Sequence, residues 1–457
     1  MGLFSSLNRE QKEAIGLLQV GTFLEYFDLM LYVHMAVFLN EIFFPPTDAH
    51  TASLLAAFTF SSAFVFRPIG ALIFGWMGDH FGRKSTIIWT TMIMSLSCLL
   101  MANLPTYSQI GVAAAWLMTL CRIAQGMSSM GEIVGAQIYV AESVRRPASY
   151  PAVAFITMAS PIGTMAALGV SFLVTSYYMN WRLAFWIGAV IALVGAVART
   201  RLRETPDFLE MKRQQLKKGL AVVNQGEKRK SSSQASKAAD LPWKDRVRFK
   251  SLIAYFSISC GWPLSLYLAY LYFNPILKND YGYSSAEIIQ HNFFFSVLFM
   301  IPLTFVSLLS YRIHPLKILK IRAIFILLLM VALPYLITSV SSPLQLFFVQ
   351  ALIIILPLDS VPAEAVLIYH LPISRRCTFA SFLFAFSRAL IYALTSFGLI
   401  YLGDYFGAYG LWFITLPIAS AYFYGILYFE GLERKIGMLE PNQSIAQGGP
   451  QSVPTTS

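Results

Sequence analysis

Residues 75–84 read Gly75-Trp76-Met77-Gly78-Asp79-His80-Phe81-Gly82-Arg83-Lys84 and join two apolar segments of the chain. Glycines let helices approach closely and allow a tight turn. The acid can accept hydrogen bonds from a neighbouring helix, and the two cations can bind carboxylates or helix ends. Solvated charges alone would not need this spacing, so the pattern predicts a latch that favours one of two states. The residues assigned to the latch are Gly75, Gly78, Asp79, Gly82, Arg83 and Lys84.

The composition indicates a membrane protein. Of the 457 residues, 56% are hydrophobic and 12% are charged, whereas a soluble domain carries about 25% charged residues. These proportions exclude a disordered, collagen-like or disulfide-stapled chain and argue against a soluble enzyme. The four cysteines lie far apart in sequence, so neither a disulfide framework nor a zinc site is expected. We therefore expect an all-α membrane protein.

Twelve apolar segments can be read, each near the length that a helix needs to cross hydrocarbon. They cover residues 14–39, 52–76, 85–104, 110–140, 151–176, 182–200, 251–273, 288–310, 318–338, 343–369, 378–402 and 408–429. A polar, basic stretch divides them into two sets of six, which predicts two six-helix bundles with a central site between them. The expected domains are a first bundle at 1–200, a linker at 201–250, a second bundle at 251–430 and a disordered tail at 431–457.

The positive charges divide unevenly between the two sides of these segments. The formal charge is +11. Lys and Arg concentrate in the termini, the linker and the loops at 83–84, 145–146, 312–322 and 375–376. The opposite side carries Lys278 and the interfacial Arg182. Because positive loops favour the cytoplasm, both termini and the linker are expected there, and the basic balance needs no nucleic-acid partner.

Several motifs resemble a known family. Phe66-Arg67-Pro68-Ile69-Gly70, followed by the 75–84 loop, resembles the signature of the major facilitator superfamily. Three further stretches are similar to the metabolite:proton symporter family, and they are Gly21-Thr22-Phe23-Leu24-Glu25-Tyr26-Phe27-Asp28, Ala124-Gln125-Gly126-Met127-Ser128-Ser129-Met130-Gly131-Glu132 and Leu202-Arg203-Glu204-Thr205-Pro206-Asp207-Phe208. That family includes proline/betaine, citrate, 2-oxoglutarate and shikimate carriers. The resemblance covers roughly residues 15–210 and implies a major facilitator fold in a bacterial inner membrane.

The second half departs from this pattern. In its counterpart loop, Tyr311 stands where the motif usually has Asp, and His314 stands where it has Gly. A second latch of the same construction is therefore not expected. Ser160-Pro161-Ile162-Gly163 resembles the Gly-Pro motif of proton antiporters, which leaves the direction of transport open.

Charged residues inside apolar segments are the next signal. Each costs about 2.5–3.5 kcal/mol on an insertion scale, so each needs a partner or water. Glu25 and Asp28 are three residues apart and share a helical face. Two such carboxylates can raise one another's affinity for protons, which makes the pair a candidate for proton coupling. The alternative is a structural role as partners of Arg67 or Arg122.

The arginines of the first half suit a carboxylate. Arg122 and Gln125 share a face one turn apart, and Arg67 precedes a proline that can open the helix to polar groups. Glu132 lies about 15 Å further along the helix from Arg122, so we assign it to the latch and not to the same pocket.

The second half contributes three further intramembrane charges. Asp359 and Glu364 flank Pro362 in the tenth segment, and Arg388 lies in the middle of the eleventh. They form either a mutual salt bridge or part of the substrate and charge network.

These features predict a secondary active transporter that imports a small carboxylate-bearing solute (an organic acid, amino acid or betaine) with protons. No catalytic constellation, nucleotide loop or metal-ligand spacing is present, so we expect no enzyme activity, cofactor or metal. The expected partners are the solute, protons and the lipid bilayer, with the protein as a monomer. The open alternatives are a proton-driven exporter of the same fold and a non-transporting membrane sensor or scaffold, which the altered second-half loop favours.

Overall fold

The computed structural model describes residues 7–44, 64–176, 180–200, 202–205, 208–214, 216 and 248–439. The predicted start of the second segment, most of the predicted linker and the tail beyond residue 439 lie outside the described residues.

Twelve helical segments, α1 to α12, follow one another within these ranges. In chain order they are Arg9–Phe43, Arg67–His80, Arg83–Asn103, Val112–Ser143, Ser149–Ser176, Arg182–Arg199, α7 in four pieces (Phe249–Ser259, Gly261–Leu266, Tyr267–Tyr272 and Phe273–Asn279), Ser285–Leu309, Pro315–Ser339, α10 in two pieces (Pro343–Ile355 and Glu364–Tyr369), Arg376–Phe406 and Trp412–Lys435. By length and hydropathy, eight helices in the described ranges could cross a membrane. The expected all-α, twelve-helix architecture is confirmed.

The helices form two bundles of six. In the first bundle, α1 packs along α5, α3 packs against α4 and α6, and α2 packs against α4. In the second bundle, α12 packs against α7 and α9, and α7 also contacts α11. The bundles meet mainly where α2 contacts α11 and where α5 contacts α8.

Glycine determines how closely the first-bundle helices approach. A Cβ atom on Gly70 of α2 would overlap the backbone of Met127 in α4, and one on Gly163 of α5 would overlap the carbonyl of Phe23 in α1. Lipid provides no hydrophobic driving force between helices, so close backbone packing of this kind is a main source of association. Gly163 belongs to the stretch that resembles an antiporter motif, and its contact gives that glycine a packing role.

The tenth helix is interrupted inside the second bundle. Residues 356–363 form no helix, and Pro357 and Pro362 lie within this stretch. A proline removes a backbone donor and clashes with the preceding turn, which accounts for the break. The freed backbone groups need partners in an apolar interior.

Arg322 of α9 supplies those partners. Its guanidinium donates to the carbonyl oxygens of Pro357 at 2.6 Å and Val361 at 2.7 Å, and to the Asp359 carboxylate at 2.8 Å. The Tyr422 hydroxyl donates to the Asp359 carbonyl at 2.7 Å. The sequence placed Arg322 in the 312–322 loop, and the structure buries it inside the second bundle at 8% exposure. The buried acid and the open helix turn both require a cation inside the bundle.

We predict that Arg322→Met destabilises the protein strongly, because Asp359 would be buried without its partner. Removing one member of a buried ion pair costs about 3–5 kcal/mol. Lys320→Met is the matched control, because Lys320 pairs with Glu430 at 2.9 Å but its side chain is 37% exposed, and surface pairs contribute at most about 1 kcal/mol. Thermal unfolding of both purified variants is the measurement. Equal, small losses in the two variants would contradict the role given to Arg322.

Candidate functional site

A polar cavity lies inside the first bundle, against α1, α2 and α4. Its volume is about 10 Å³, roughly the space of one water molecule in this conformation. The charged residues that line it are at most 3% exposed. The polar lining residues are Glu25, Asp28, Arg67, Arg122 and Gln125. The structure thus brings together all five first-half residues that the sequence assigned to proton coupling and to the charge network.

Arg122 and Asp28 are joined through a chain of hydrogen bonds and not by direct contact. Arg122 Nη1 donates to Gln125 Oε1 at 3.0 Å, and Gln125 Nε2 donates to Cys98 Sγ at 3.2 Å. The Cys98 thiol then donates to Asp28 Oδ2 at 2.9 Å. Tyr32 covers the guanidinium, with its ring centroid 4.1 Å from Cζ. No motif in the sequence points to Cys98, which has the character of a small hydrophobic residue in an apolar segment.

Several buried polar atoms of this cavity make no hydrogen bond within the part of the chain that the structure describes. Among the described residues, Arg122 Nε and Nη2, Arg67 Nε and Asp28 Oδ1 have no hydrogen-bond partner. Gly188 of α6 leaves room for Asp28, because a Cβ there would lie 2.7 Å from Oδ1. Buried polar atoms normally find partners, so these atoms indicate a position for a polar ligand or water.

Arg67 of the first bundle and Arg388 of the second lie within electrostatic range of each other. Arg67 lies over the Phe64 ring at 4.6 Å, and Arg388 lies over the Phe384 ring at 3.2 Å. Tyr26 is within electrostatic range of both guanidiniums and of Glu25. In the part of the chain that the structure describes, neither arginine forms an ion pair with a carboxylate.

The second-half acids have separate partners. Asp359 binds Arg322 and lies beside a different cavity, whereas Glu364 accepts a hydrogen bond from the Tyr255 hydroxyl at 2.6 Å. Neither acid bonds directly to Arg388 among the described contacts, although Arg388 and Glu364 interact electrostatically. Among the described contacts, the mutual salt bridge considered from the sequence is therefore not formed, and Asp359 pairs with Arg322 of α9 instead.

The 75–84 loop joins the two bundles. Asp79 accepts hydrogen bonds from the backbone N–H groups of Cys377 at 3.1 Å and Thr378 at 2.9 Å, and from the Thr378 hydroxyl at 2.7 Å. It thereby caps the first turn of α11, where the helix dipole favours an anion. Gly75 makes the approach possible, because a Cβ there would lie 2.7 Å from Thr378 Cα, and Gly78 faces the Cys377 side chain.

Arg83 extends the contact through a buried acid. Its guanidinium donates to Glu142 at 3.2 Å and to the Ile373 carbonyl at 3.1 Å, and lies 3.5 Å from Asp79. Glu142 also pairs with Arg376 of the second bundle at 3.0 Å. Sequence reasoning missed Glu142. It counted Arg376 only as a loop cation, whereas the structure buries Arg376 at 3% exposure.

The remaining latch residues shape the turn. Gly82 has a φ of 111°, a conformation that favours glycine. The backbone N–H of Arg83 donates to Glu204 at 3.0 Å and that of Lys84 at 3.3 Å. Glu204 belongs to the 202–208 stretch quoted above, which could have revealed its role. Glu132 lies in α4, but its side chain is outside the described residues.

The hydrogen bonds described between the two bundles are concentrated at one end of the molecule. We call this the latch end, and define it by residues 79–84, 142–146 and 370–378. Here the latch joins α2, α3 and α4 to the start of α11. The interfaces at this end therefore hold the two bundles together.

Comparison with known proteins supports the same architecture. The family model described as "Major Facilitator Superfamily" matches residues 20–375. The chain is 35% identical over 205 residues to the proline/betaine transporter of Salmonella typhimurium, which covers 43% of this chain and 41% of that protein. It is 35% identical over 216 residues to the Escherichia coli inner membrane metabolite transport protein YhjE, which covers 45% of this chain and 48% of that protein. The chain thus matches less than half the length of these two curated relatives.

Solved structures match over most of the chain. A proton:xylose symporter, XylE, has a TM-score of 0.69 at 14% identity and covers 92% of this chain and 95% of its own. The Escherichia coli fucose:proton symporter FucP has a TM-score of 0.62 at 15% identity, with 92% and 99% covered. At this identity the likeness concerns the fold alone. Together with the family match, these findings show that the chain is a multi-pass membrane protein that belongs to the Major Facilitator Superfamily.

Proposed function

We propose that this chain is a secondary active transporter that imports a small carboxylate-bearing organic solute together with protons. The observation that carries the proposal is the buried first-bundle cavity, where Glu25 and Asp28 lie beside arginines whose hydrogen-bonding capacity is only partly used. The proline/betaine relative supports a small solute, and the xylose and fucose symporters of the same fold support proton coupling.

The arginines favour an anionic group on the solute. Burying a guanidinium is costly unless an anion and hydrogen bonds compensate it. Arg122 retains Nε and Nη2, which present the two parallel donors that bind a carboxylate well. Arg67 and Arg388 come from different bundles, so an anion between them would be contacted by both halves of the protein. Organic acids, amino acids and betaines all carry the required carboxylate.

The chain of hydrogen bonds from Arg122 to Asp28 provides a route for coupling. A solute carboxylate that occupies Arg122 would compete with the Gln125 and Cys98 contacts that lead to Asp28. Without the influence of that cation, an ionised Asp28 in a desolvated site is less stable, so proton binding becomes more favourable. Solute and proton would then occupy the cavity together, which is the requirement for symport.

The latch provides the conformational step. Contacts at the latch end hold the bundles together there, and their release would allow the two bundles to rock against one another. The excess of Lys and Arg near this end supports a cytoplasmic location for it and for both termini. The bacterial relatives support the inner membrane as the location. A complete first latch argues against a scaffold that no longer cycles, and the packing role of Gly163 weakens the argument for export.

We predict that residues 199–250 and both termini are cytoplasmic. A cysteine introduced as Ser232→Cys should resist an impermeant thiol reagent in intact cells and react after permeabilisation, while the four native cysteines are buried. Asp280→Cys, in the exposed turn between α7 and α8, is the matched position on the opposite side and should react in intact cells. Efficient external labelling at position 232 would reverse the proposed orientation.

For the latch, we predict that Asp79→Asn impairs net uptake more than solute binding. The amide keeps the size of the side chain but loses charged hydrogen bonds to the start of α11, each worth about 1.5–3 kcal/mol. The equilibrium between the two states should shift by roughly tenfold or more while the cavity is unchanged. Tyr311→Phe, in the second-half counterpart loop, is the control and should matter less. Binding and uptake are measured in the same vesicles, and a loss of binding alone would disprove the assignment.

For proton coupling, we predict that neutralising the true carrier abolishes uphill accumulation and leaves counterflow intact. Glu25→Gln and Asp28→Asn are tested separately, because they are equal in charge change and adjacent on one helical face. The solute is first identified by thermal shift against organic acids, amino acids and betaines. Accumulation and counterflow are then compared with and without an inward proton gradient. If both variants still concentrate the solute, the proton carrier lies elsewhere, and Glu364 is the next candidate. Efflux of the solute driven by the inward proton gradient would indicate an exporter.

A further inference from the structure

The hydrogen-bond chain from Arg122 to Asp28 has a direction that the chemistry of its members imposes. A guanidinium carries donors and no acceptor, so the Gln125 atom that faces it at 3.0 Å must be the amide oxygen. The amide nitrogen then donates to Cys98 Sγ at 3.2 Å, and the thiol donates onward to Asp28 Oδ2 at 2.9 Å. We call Cys98 and Gln125 the relay. Every donor in it points from Arg122 toward Asp28.

This direction favours the ionised form of Asp28. The relay ends on Oδ2, which must accept the thiol hydrogen. A proton on Asp28 would then have to sit on Oδ1, which has no hydrogen-bond partner among the described residues. A buried O–H donor without an acceptor costs free energy. As long as the relay points toward Asp28, proton binding there is therefore opposed.

The opposite direction becomes favourable when a proton and an anion are both present. A protonated Asp28 can donate from Oδ2 to the Cys98 sulfur, and the thiol can donate to the Gln125 oxygen. The Gln125 amide then turns its N–H groups toward Arg122, where donor would meet donor. An anion bound to Arg122 removes that conflict, because it accepts hydrogen bonds from both side chains. Reversal thus requires a proton at one end of the relay and an anion at the other.

The packed site permits this reversal. Turning the Gln125 amide exchanges an oxygen and a nitrogen of nearly equal size, and the Cys98 hydrogen moves by rotation about the Cβ–Sγ bond. Neither change needs more space than the cavity offers. Both side chains are buried, so bulk water does not replace a lost partner. The thiol keeps its own hydrogen throughout, and the proton that is taken up stays on Asp28.

Other charged groups also bear on Asp28. Arg122 of α4 and Cys98 of α3 act on it directly, and Glu25 of α1 and Arg67 of α2 line the same cavity. Helix α5 carries no Asp, Glu, Lys, Arg or His, and α6 carries charge only at its two end residues. An anion at Arg122 thus acts on Asp28 both by its charge and through the relay. Substitutions in the relay separate the two effects, because they leave every charge in place.

We propose that the relay of Cys98 and Gln125 reverses direction when an anion binds Arg122, and that this reversal ties anion binding to proton uptake at Asp28. This role rests on the proposed function and deepens it, since it assigns part of the coupling to two uncharged side chains. Cys98 is a positioning residue, because it contacts Gln125 and Asp28 but not the anion. A thiol suits that place because it can both accept and donate a hydrogen bond.

The experiment uses acetate as the anion and the full-length protein in lipid nanodiscs, without a proton gradient. Acetate stays ionised between pH 6 and pH 8, so a change in its affinity over this range reports a proton on the protein. We expect acetate to bind roughly tenfold more tightly at pH 6 than at pH 8. Acetate should also shift the infrared S–H band of Cys98, because the thiol exchanges a carboxylate acceptor for an amide. That band is assigned by its loss in Cys98→Ser.

Four variants test the relay, each compared after thermal unfolding has shown that it is folded. Cys98→Ala breaks the relay, so the ratio of affinities should fall to about threefold or less, the remainder being the direct effect of charge. Gln125→Met should lower the ratio similarly. Cys98→Ser should restore it, because a hydroxyl also donates and accepts. Cys121→Ala is the matched control, a buried cysteine of α4 outside the relay, and should keep both the ratio and the S–H shift.

Several outcomes would overturn the proposal. They are a full pH dependence in Cys98→Ala, no recovery in Cys98→Ser, an S–H band that acetate leaves unshifted, and no acetate binding by the unaltered protein. Proton-driven uptake in vesicles is measured separately. If the relay behaves as expected but the protein accumulates no carboxylate, the proposed function is refuted and the relay stands. If Cys98→Ala concentrates solute as well as the unaltered protein does, the relay is refuted and the proposed function stands.

Discussion

A charge buried in an apolar interior must be compensated, and this chain places much of that compensation across the boundary between its two bundles. Asp79 binds the first turn of α11, Glu142 is shared by Arg83 and Arg376, and Glu433 binds Arg146. Each acid would lose a partner if the bundles separated at the latch end. Leaving these acids without a counter-charge would cost free energy, and this cost favours the closed arrangement. Only a few residues account for it.

The arginines of the first-bundle cavity and Arg388 of the second bundle follow the opposite rule. Arg122 keeps donor groups without partners, and Arg67 and Arg388 pack on aromatic rings without carboxylate partners among the described residues. A site whose charges were fully paired would gain nothing from a solute, whereas a partly paired site gains hydrogen bonds when an anion enters. The contrast separates the residues that hold the shape of the protein from those available to a ligand.

The sequence predicted the parts of the structure that depend on local pattern. Apolar length located the helices, and glycine spacing with Asp79 located the first latch. It could not supply partners that are distant in sequence, and so it missed Cys98, Glu142 and Glu433. The break in α10 had a local signal in Pro357 and Pro362, but nothing in the sequence near Arg322 connects it to that break. Whether such a cation is solvated or buried depends on tertiary contacts, which the local sequence does not specify.

The interrupted α10 has a consequence for ion selectivity. Two backbone carbonyls and a carboxylate converge on the Arg322 guanidinium. Oxygen groups of an unwound membrane helix are the type that coordinates sodium in other transporter folds. Here the guanidinium of Arg322, which is part of the polypeptide, fills that position and compensates Asp359. A sodium ion could enter the position only by displacing Arg322.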